Sequence, residues 1–419
     1  MPRSHAYPPD LARYVEANWP DGVELTLSSE LLEEALAVAF QASLMLEEAR
    51  PTRFRLLLTP PSLLPEAGAP EQGVLRLLFA EPRPFSADEL RRLAPAVPFE
   101  TALIGAHPDG GRLRIWGVAH SGPAWLSPTW GGRSVVPNWT YDPIVHVTAP
   151  GHLAVRCAGH LIGAIERGLV VDATLDVFES QWLPAMFERE REDVRAAHAA
   201  LQAGAASPTI AEHSLVGKVS QQMLRRAIQL VRGARHGGLI LIANAAPDGS
   251  PDLRGLRPKY TFNQDEPSHR YHSLLLGILH AVAETTSKAS VGWADFALNE
   301  SAHFAELEQE MFELSRVLAN LAAIDGALVL DKQFGVIGFG AEVSAELPTP
   351  LRVFRALDAE GVERNPEAVE NVGTRHRAAY RFVNDHPDGL AVVISQDGGV
   401  SFVANRGGQV VFWEQSVSP

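Results

Sequence analysis

The chain has 419 residues, of which 46% are hydrophobic and 21% charged, a composition typical of a globular protein with two or three domains. Its formal net charge of −14 opposes a general attraction to nucleic acid or anionic lipid. We therefore expect no nucleic-acid partner, and any bound phosphate must be held by a local arrangement of donors.

The cysteine content and the apolar runs indicate a compartment. The single cysteine, Cys157, excludes an internal disulfide framework and a cysteine-based zinc site, and it fits a reducing environment. The sequence shows no signal peptide and no apolar run of the ~20 residues that span a bilayer. We expect a cytoplasmic protein without membrane attachment.

The N-terminal half alternates β-type runs with helical stretches, which predicts an α+β domain at residues 1–195. The β-type runs are RFRLLLT, GVLRLLFA, RLRIWGVA, PIVHVTA and HLAVRCAG, and the helical stretches are SELLEEALAVAFQASLMLEEA and SADELRRLA. Residues 196–214 are small and polar and contain Pro and Gly, which predicts a linker. A second domain would then occupy residues 215–419.

The second half predicts a mixed β-sheet flanked by helices, so the chain as a whole is assigned to the α/β class. A helix, GKVSQQMLRRAIQLVRGA, and a buried strand, GGLILIA, precede a long irregular segment at about 245–300. The best-defined helix follows, with one apolar face formed by Phe304, Leu307, Met311, Leu314, Leu318 and Leu321. It leads into the strand DGALVLD, the turn KQFG, the antiparallel strand VIGFGAEV, a helix with Thr374 as its N-cap, and three closing strands.

The start of that last helix, GTRHR, predicts a phosphate site. A helix N-terminus presents unpaired N–H groups and a partial positive charge, and Gly373 lets an anion approach the backbone. Arg375 and Arg377 leave different flanks of the helix, with His376 between them, and arginine suits phosphate oxygens. Because arginine at a helix start opposes the helix dipole, a bound anion would explain it.

The triplet Asp325-Gly326-Ala327, at the start of the strand DGALVLD, predicts the other half of the site. Asp325 could ligate Mg²⁺ or Mn²⁺ or accept a proton from a ribose hydroxyl, while Gly326 and Ala327 leave room for a sugar or base. Ser395 ends a strand, where ligands of open α/β sheets bind, and could offer its hydroxyl to the same phosphates.

The order and spacing of IDGALVLD and GTRHRAA, followed by a strand ending in Ser and a β-turn strand, resemble the diadenylate cyclase (DAC) domain family. The resemblance covers residues 217–415. It implies that Asp325 to Ala327 form the nucleotide and metal side of the site and that Thr374 to Arg377 form the phosphate side, with Ser395 contacting a phosphate.

The resemblance also implies an activity and a partner. Members of the family make cyclic di-AMP from two ATP molecules with a divalent ion, and because each domain supplies half a site, two domains meet face to face about a C2 axis. Asp325 would then hold the metal, Arg375 and Arg377 would neutralise the polyphosphate, and His376 would either fix the loop or touch a phosphate. The alternative is a catalytically silent sensor module that binds ATP or a cyclic dinucleotide.

The sequence leaves the roles of two regions undecided. The long segment is a lid, a dimer contact or part of a sensor interface, and its His269 and His272 have a spacing compatible with joint metal ligation but lack a third ligand. The N-terminal half resembles the sensor-like DACNV domains that precede some DAC domains, so we expect it to receive an unknown small-molecule or protein signal.

The sequence gives weaker evidence for functional residues in the N-terminal half. Its histidine and cysteine cluster predicts core packing rather than a metal site, and its tryptophans fit a ligand cleft or core packing equally well. The cluster comprises His146, His152, Cys157 and His160, and the tryptophans are Trp116, Trp125, Trp130 and Trp139.

Overall fold

The computed structural model describes most of the chain and divides it into two units. The described residues are 5–64, 74–121, 131–132, 141–158, 160–166, 168–172, 176–204, 208–246, 249–262, 266–370 and 372–415. The first unit comprises residues 1–128 and 134–173, and the second comprises 129–133 and 174–417. Both combine helices with mixed or antiparallel sheets, which confirms the α/β class.

The first unit is built from three helices and ten strands among the residues described. They are α1 (Pro8–Ala17), α2 (Ser29–Ser43), β1 (Leu46–Glu47), β2 (Arg50–Pro51), β3 (Phe54–Leu57), β4 (Leu75–Pro84), α3 (Ala87–Leu93), β5 (Ala102–Asp109), β6 (Arg112–His120), β7 (Ile144–Ala149), β8 (His152–Cys157), β9 (His160–Glu166) and β10 (Leu169–Asp172).

Eight of these strands form one sheet in the order β10-β9-β8-β7-β3-β5-β6-β4, within the described residues. Its neighbours are antiparallel except for β3 and β5. The helices bury their apolar sides against one sheet face: in α2, Leu32, Ala35, Leu36 and Ala39 recur at helical spacing and are fully buried. The predicted runs of the N-terminal half thus correspond to real elements.

The second unit follows with seven helices and twelve strands among the residues described. They are α4 (Trp182–Ala185), α5 (Glu188–Gln202), β11 (Ile210–Ala211), α6 (His213–Ala234), β12 (Gly238–Ile242), β13 (Leu256–Arg257), β14 (Tyr260–Thr261), α7 (Glu266–Glu284), β15 (Ser290–Val291), α8 (Trp293–Ala297), α9 (Ala302–Ala322), β16 (Ala327–Leu330), β17 (Val336–Val343), β18 (Arg352–Ala356), β19 (Arg364–Ala368), α10 (Thr374–Asp385), β20 (Leu390–Ile394), β21 (Val400–Arg406) and β22 (Gln409–Gln415).

The main sheet of this unit has the order β13-β17-β16-β12-β20-β21-β22-β18-β19, with β14 also pairing with β17. Alternate residues of the central strands enter two cores, as the period of a strand requires. Ile240 and Leu328 face a core shared with α6, α7 and α9, whereas Leu239 and Val329 face a core shared with α10. Helices therefore cover both faces of the sheet.

The stretch predicted as a linker, residues 196–214, belongs to the second unit instead. Its first residues complete α5, where His198 is fully buried and its Nε2 lies 3.2 Å from the Thr209 carbonyl oxygen. Gln202 Nε2 lies 3.1 Å from His280 Nδ1 on α7. The division between units falls near residue 174, ahead of the predicted boundary. Alanine-rich segments are as typical of helices as of linkers, and packing decides between them.

Within the described ranges, no helix is long and apolar enough to cross a lipid bilayer.

Replacement of Phe402 by Ala tests the larger core. Phe402 on β21 is fully buried and meets Phe178 edge to face at 5.4 Å. We expect the free energy of unfolding of the second unit to fall by about 3–5 kcal/mol, measured by urea titration with tryptophan fluorescence. The control, Leu351→Ala, removes a side chain that is 94% exposed and should change it by less than about 0.5 kcal/mol. Equal effects of the two substitutions would contradict this core assignment.

Candidate functional site

One edge of the main sheet brings the two predicted motifs together. Strands β12 and β16 are parallel and both begin at this edge, whereas β17 and β20 run antiparallel to them and end there. Asp325 lies two residues before the start of β16, and α10 begins beside the same edge, so both motifs line one cleft of about 710 Å³. The two motifs are distant in sequence, and the strand order of the sheet brings them together.

The cleft carries a local excess of positive charge in an acidic chain. Among the described residues, its cationic side chains are Arg257, Lys259, Arg375, Arg377 and Arg381, and its carboxylates are Asp325, Glu342 and Glu346. Small or apolar residues complete the lining: Leu239, Gly326, Ala341, Val343, Ser344, Ala345, Thr374 and Ala378. Such a cleft favours an anion over a neutral ligand.

Asp325 offers its carboxylate to the cleft. The side chain is exposed, and within the described part of the chain it makes no hydrogen bond or ion pair. A divalent ion such as Mg²⁺ is typically bound by one or two carboxylates together with substrate phosphates. The donor set of Asp325, with Glu342 and Glu346 on the same cleft, fits that requirement.

Gly326 is glycine because the backbone of the neighbouring strand leaves no space for a side chain. Its φ is +111°, and a Cβ built on it would lie 2.5 Å from the carbonyl carbon of Gly340 and 2.9 Å from the amide nitrogen of Ala341. Ala327, next along, is buried and pairs with Ala341 across the sheet. Ala327 therefore packs beneath the cleft and does not line it.

Arg375 is tied to the start of β12. Its Nη2 donates a hydrogen bond of 3.2 Å to the carbonyl oxygen of His236. A Cβ built on Gly237 would lie 2.8 Å from Arg375 Nη1 and 2.7 Å from the carbonyl oxygen of Ile394. Gly237 thus makes room for the guanidinium between two strand ends, a requirement that the sequence analysis missed.

Arg377 has the opposite situation. It lines the cleft, is exposed, and makes no side-chain hydrogen bond or ion pair among the residues described. The predicted N-cap, Thr374, is wrong: Gly373 is the N-cap, without a side-chain bond, and Thr374 is the first helical residue. The N-terminal N–H groups of α10 therefore lack a capping side chain, which leaves them available to a ligand.

His376 points to the sheet, away from the residues that line the cleft. Its Nε2 lies 3.4 Å from Ser401 Oγ on β21, and the side chain is half-buried. Burial lowers the pKa of His376, although Glu414 and Asp397 oppose that shift. Of the two expected roles, this contact fits fixing the loop better than touching a phosphate.

Ser395 lies at the same sheet edge but outside the cleft lining. It follows β20 directly, its N–H donates to the Gly399 carbonyl oxygen at 2.8 Å, and its own carbonyl oxygen accepts from the Gly398 N–H at 3.0 Å. Its role as a phosphate contact stays a prediction.

Several cleft residues were not found by sequence reasoning. Arg257 and Lys259 come from the long segment at about 245–300, and Glu342 and Glu346 from the end of β17 and the loop after it. The register pairs Arg257 with Glu342, across strands that are far apart in sequence. Such a pairing cannot be predicted from a local sequence pattern, because it depends on which strand β13 pairs with.

His269 and His272 do not belong to a cluster of metal-ligating side chains in the described part of the chain. The cluster found there consists of Glu188, Glu192 and His213, which are all exposed. His269 and His272 lie on α7, where burial and the charge of His269 lower the pKa of His272.

Of the N-terminal histidines and Cys157, His146 and Cys157 are buried, as the core interpretation predicted. His152 is half-buried, and His160, which pairs with Cys157 across β8 and β9, is exposed. His146 is buried against Phe99, at a ring distance of 5.6 Å, and pairs with Ala154. Cys157 Sγ donates to the Tyr141 carbonyl oxygen, and burial raises the pKa of its thiol to about 11.

Of the four candidate tryptophans, the structure describes Trp116. Trp116 is buried and its Nε1 donates to the Thr59 carbonyl oxygen at 2.9 Å, which is a packing role. Trp125, Trp130 and Trp139 lie outside the described residues.

Comparison with known proteins identifies one segment. Residues 24–120 match the family model described as "Probable sensor domain DACNV". The match runs from before α2 to the end of β6, all in the first unit. No curated protein and no solved structure matches the chain. The DACNV match thus covers part of the first unit.

Gly326 in the cleft lining and Gly373, the N-cap of α10, provide a matched test. Gly326→Ala places a Cβ against backbone atoms at positive φ, so we expect a loss of about 2 kcal/mol or more in the free energy of unfolding. Gly373→Ala meets no atom within 4 Å and has φ of −63°, so only the poorer N-capping by alanine acts and stability should fall by about 1 kcal/mol or less. Urea denaturation measures both, and a stable Gly326→Ala protein would contradict the close approach.

Proposed function

We propose that the second unit is a diadenylate cyclase, which condenses two ATP molecules into cyclic di-AMP and two pyrophosphates. The observation that carries the proposal is the convergence of Asp325 and Gly326 with Thr374, Arg375 and Arg377 in one cationic cleft. The DACNV match supports it independently, since such domains precede diadenylate cyclase domains.

The triphosphate would bind at the start of α10. Free N–H groups and the helix dipole attract phosphate oxygens, and the unpaired Arg377 can donate to them. Arg375, held by the His236 carbonyl oxygen, would add a positioned charge on the other flank. This accounts for two arginines at a helix start, where they otherwise oppose the dipole.

Asp325 would hold Mg²⁺ or Mn²⁺, shared with the substrate phosphates. When bound, the ion lowers the pKa of the attacking hydroxyl and offsets negative charge on the phosphates. Asp325 also orients the ribose 3′-hydroxyl and accepts its proton. The hydroxyl oxygen forms a bond to the α-phosphorus of the second ATP, the bond to the bridging oxygen breaks, and pyrophosphate leaves.

The product requires two such clefts. Each ATP supplies a hydroxyl to the other, so two copies of the unit would face each other about a two-fold axis. The DACNV segment would regulate this pairing or the cleft in response to a signal. Activity should therefore rise more steeply than linearly with protein concentration.

The first test uses Arg377. Purified protein at several concentrations is incubated with ATP and Mn²⁺ or Mg²⁺, and products are identified by mass spectrometry. We expect cyclic di-AMP from the wild type and at least a 100-fold lower rate from Arg377→Ala. The substitution removes the positive charge that stabilises the transferring phosphate. The control, Arg316→Ala, removes an exposed arginine of α9 that pairs with Glu313, and should leave the rate unchanged.

The second test separates binding from catalysis. Asp325→Asn should retain ATP binding within about threefold, while the rate of cyclic di-AMP formation falls roughly 100-fold or more, because the amide cannot accept the proton. Asp388→Asn, at an exposed aspartate outside the cleft lining, is the control. An Asp325→Asn protein as active as wild type would refute the assigned role. ATP binding by the wild type without any product would favour a silent sensor module instead.

A further inference from the structure

The segment between β12 and α9 is fixed at two points, one at the C-terminal end of α10 and one on β17. The carbonyl oxygen of Arg254 accepts a hydrogen bond of 2.8 Å from Nε2 of the buried His386, at the end of α10. A Cβ on Gly338 would lie 2.8 Å from Pro258 Cβ and 2.7 Å from the Tyr260 carbonyl oxygen, so β14 packs tightly on β17. The backbone from residue 254 to 260 is thus positioned by the fold.

Two cations project from this fixed segment into the cleft. Arg257 lies on β13, in register with Glu342 of β17, and β17 in turn pairs with β16 at Ala327. Two strand spacings, roughly 10 Å, therefore separate Arg257 from the start of β16. Both Arg257 and Lys259 line the cleft together with the arginines of α10.

The partners of these cations are weak or missing. Lys259 Nζ is 3.5 Å from Glu342 Oε1, and the two side chains are 48% and 66% exposed. The exposed Arg257 makes no side-chain hydrogen bond or ion pair within the described residues. An exposed ion pair contributes little to stability, so Lys259 can exchange Glu342 for a ligand at small cost.

We propose that Arg257 and Lys259 bind the polyphosphate tail of the nucleotide from a second side of the cleft. A triphosphate carries enough charge to engage both sides at once, whereas a monophosphate reaches only one. The cleft would then select nucleoside triphosphates over monophosphates through the segment at about 245–300. The identity of the nucleotide as ATP rests on the proposed function; the tail contact itself does not require turnover.

The same segment supplies a matched control. Arg254 is exposed and close in sequence, but it does not line the cleft. It is paired with Asp252 through Nη2 and Oδ2 at 2.8 Å, and its hydrogen bonds lower the pKa of that carboxyl. Loss of Arg254 changes the net charge as much as loss of Arg257, so the pair separates local contact from general charge.

The experiment measures dissociation constants by calorimetry on the full chain with Mg²⁺. The ligands are AMP and an ATP analogue with a methylene bridge between the α- and β-phosphates, which cannot release pyrophosphate. We expect Arg257→Ala to raise Kd for the analogue about 10-fold and for AMP less than about twofold, because one charged hydrogen bond to the tail is lost. Arg257→Lys should recover part of this affinity, since charge remains but the fork is lost.

Lys259→Ala should raise Kd for the analogue by a smaller factor, about threefold, because the wild-type lysine must first leave Glu342. Arg254→Ala should leave both dissociation constants within about twofold. Circular dichroism and thermal melting confirm that each variant is folded, which is expected for exposed positions.

Three outcomes would overturn the inference: unchanged affinity of Arg257→Ala for the analogue, an equal loss for both ligands, or wild-type protein that fails to prefer the analogue over AMP. A parallel assay for cyclic di-AMP on the wild type separates the two hypotheses. Product with an unaffected Arg257→Ala rejects only the second side of the cleft. The expected affinities without product reject only the cyclase.

Discussion

The candidate site depends on how closely β17 approaches the residue before β16. At Gly326 the backbone of Gly340 and Ala341 occupies the space of a side chain, and the positive φ turns the chain sharply there. This turn leaves Asp325 exposed at the sheet edge while Ala327, two residues later, is buried. A carboxylate can stand at the mouth of the cleft only because its neighbour is glycine.

The cleft concentrates positive charge that the chain as a whole lacks. Around it lie the N-terminus of α10, two arginines of the first turns, and two cations of the segment before α9. These like charges repel one another, and the three carboxylates of the lining, Asp325, Glu342 and Glu346, offset them only in part. The charge of the cleft therefore favours an anionic ligand over a neutral one.

Packing also decides the surroundings of residues whose place the sequence does not settle. His146 and Cys157 are buried on paired strands whereas His160 is exposed, and His198, in the stretch expected to be a linker, is buried in a helix. Small residues such as those of 196–202 fit a helix and a linker equally well, so only their contacts decide. Composition was a poor guide at these positions because tertiary burial overrides local preference.

The sequence by itself determined the periodic elements and the two motifs. The helix before Asp325 and the β16–β17 hairpin have the predicted positions, because apolar periodicity and turn residues are local signals. Only the tertiary structure decided that the motifs share one cleft, that Gly373 rather than Thr374 caps α10, and that Arg257 faces the same cleft. Strand order and register join residues distant in sequence, and no local pattern carries that information.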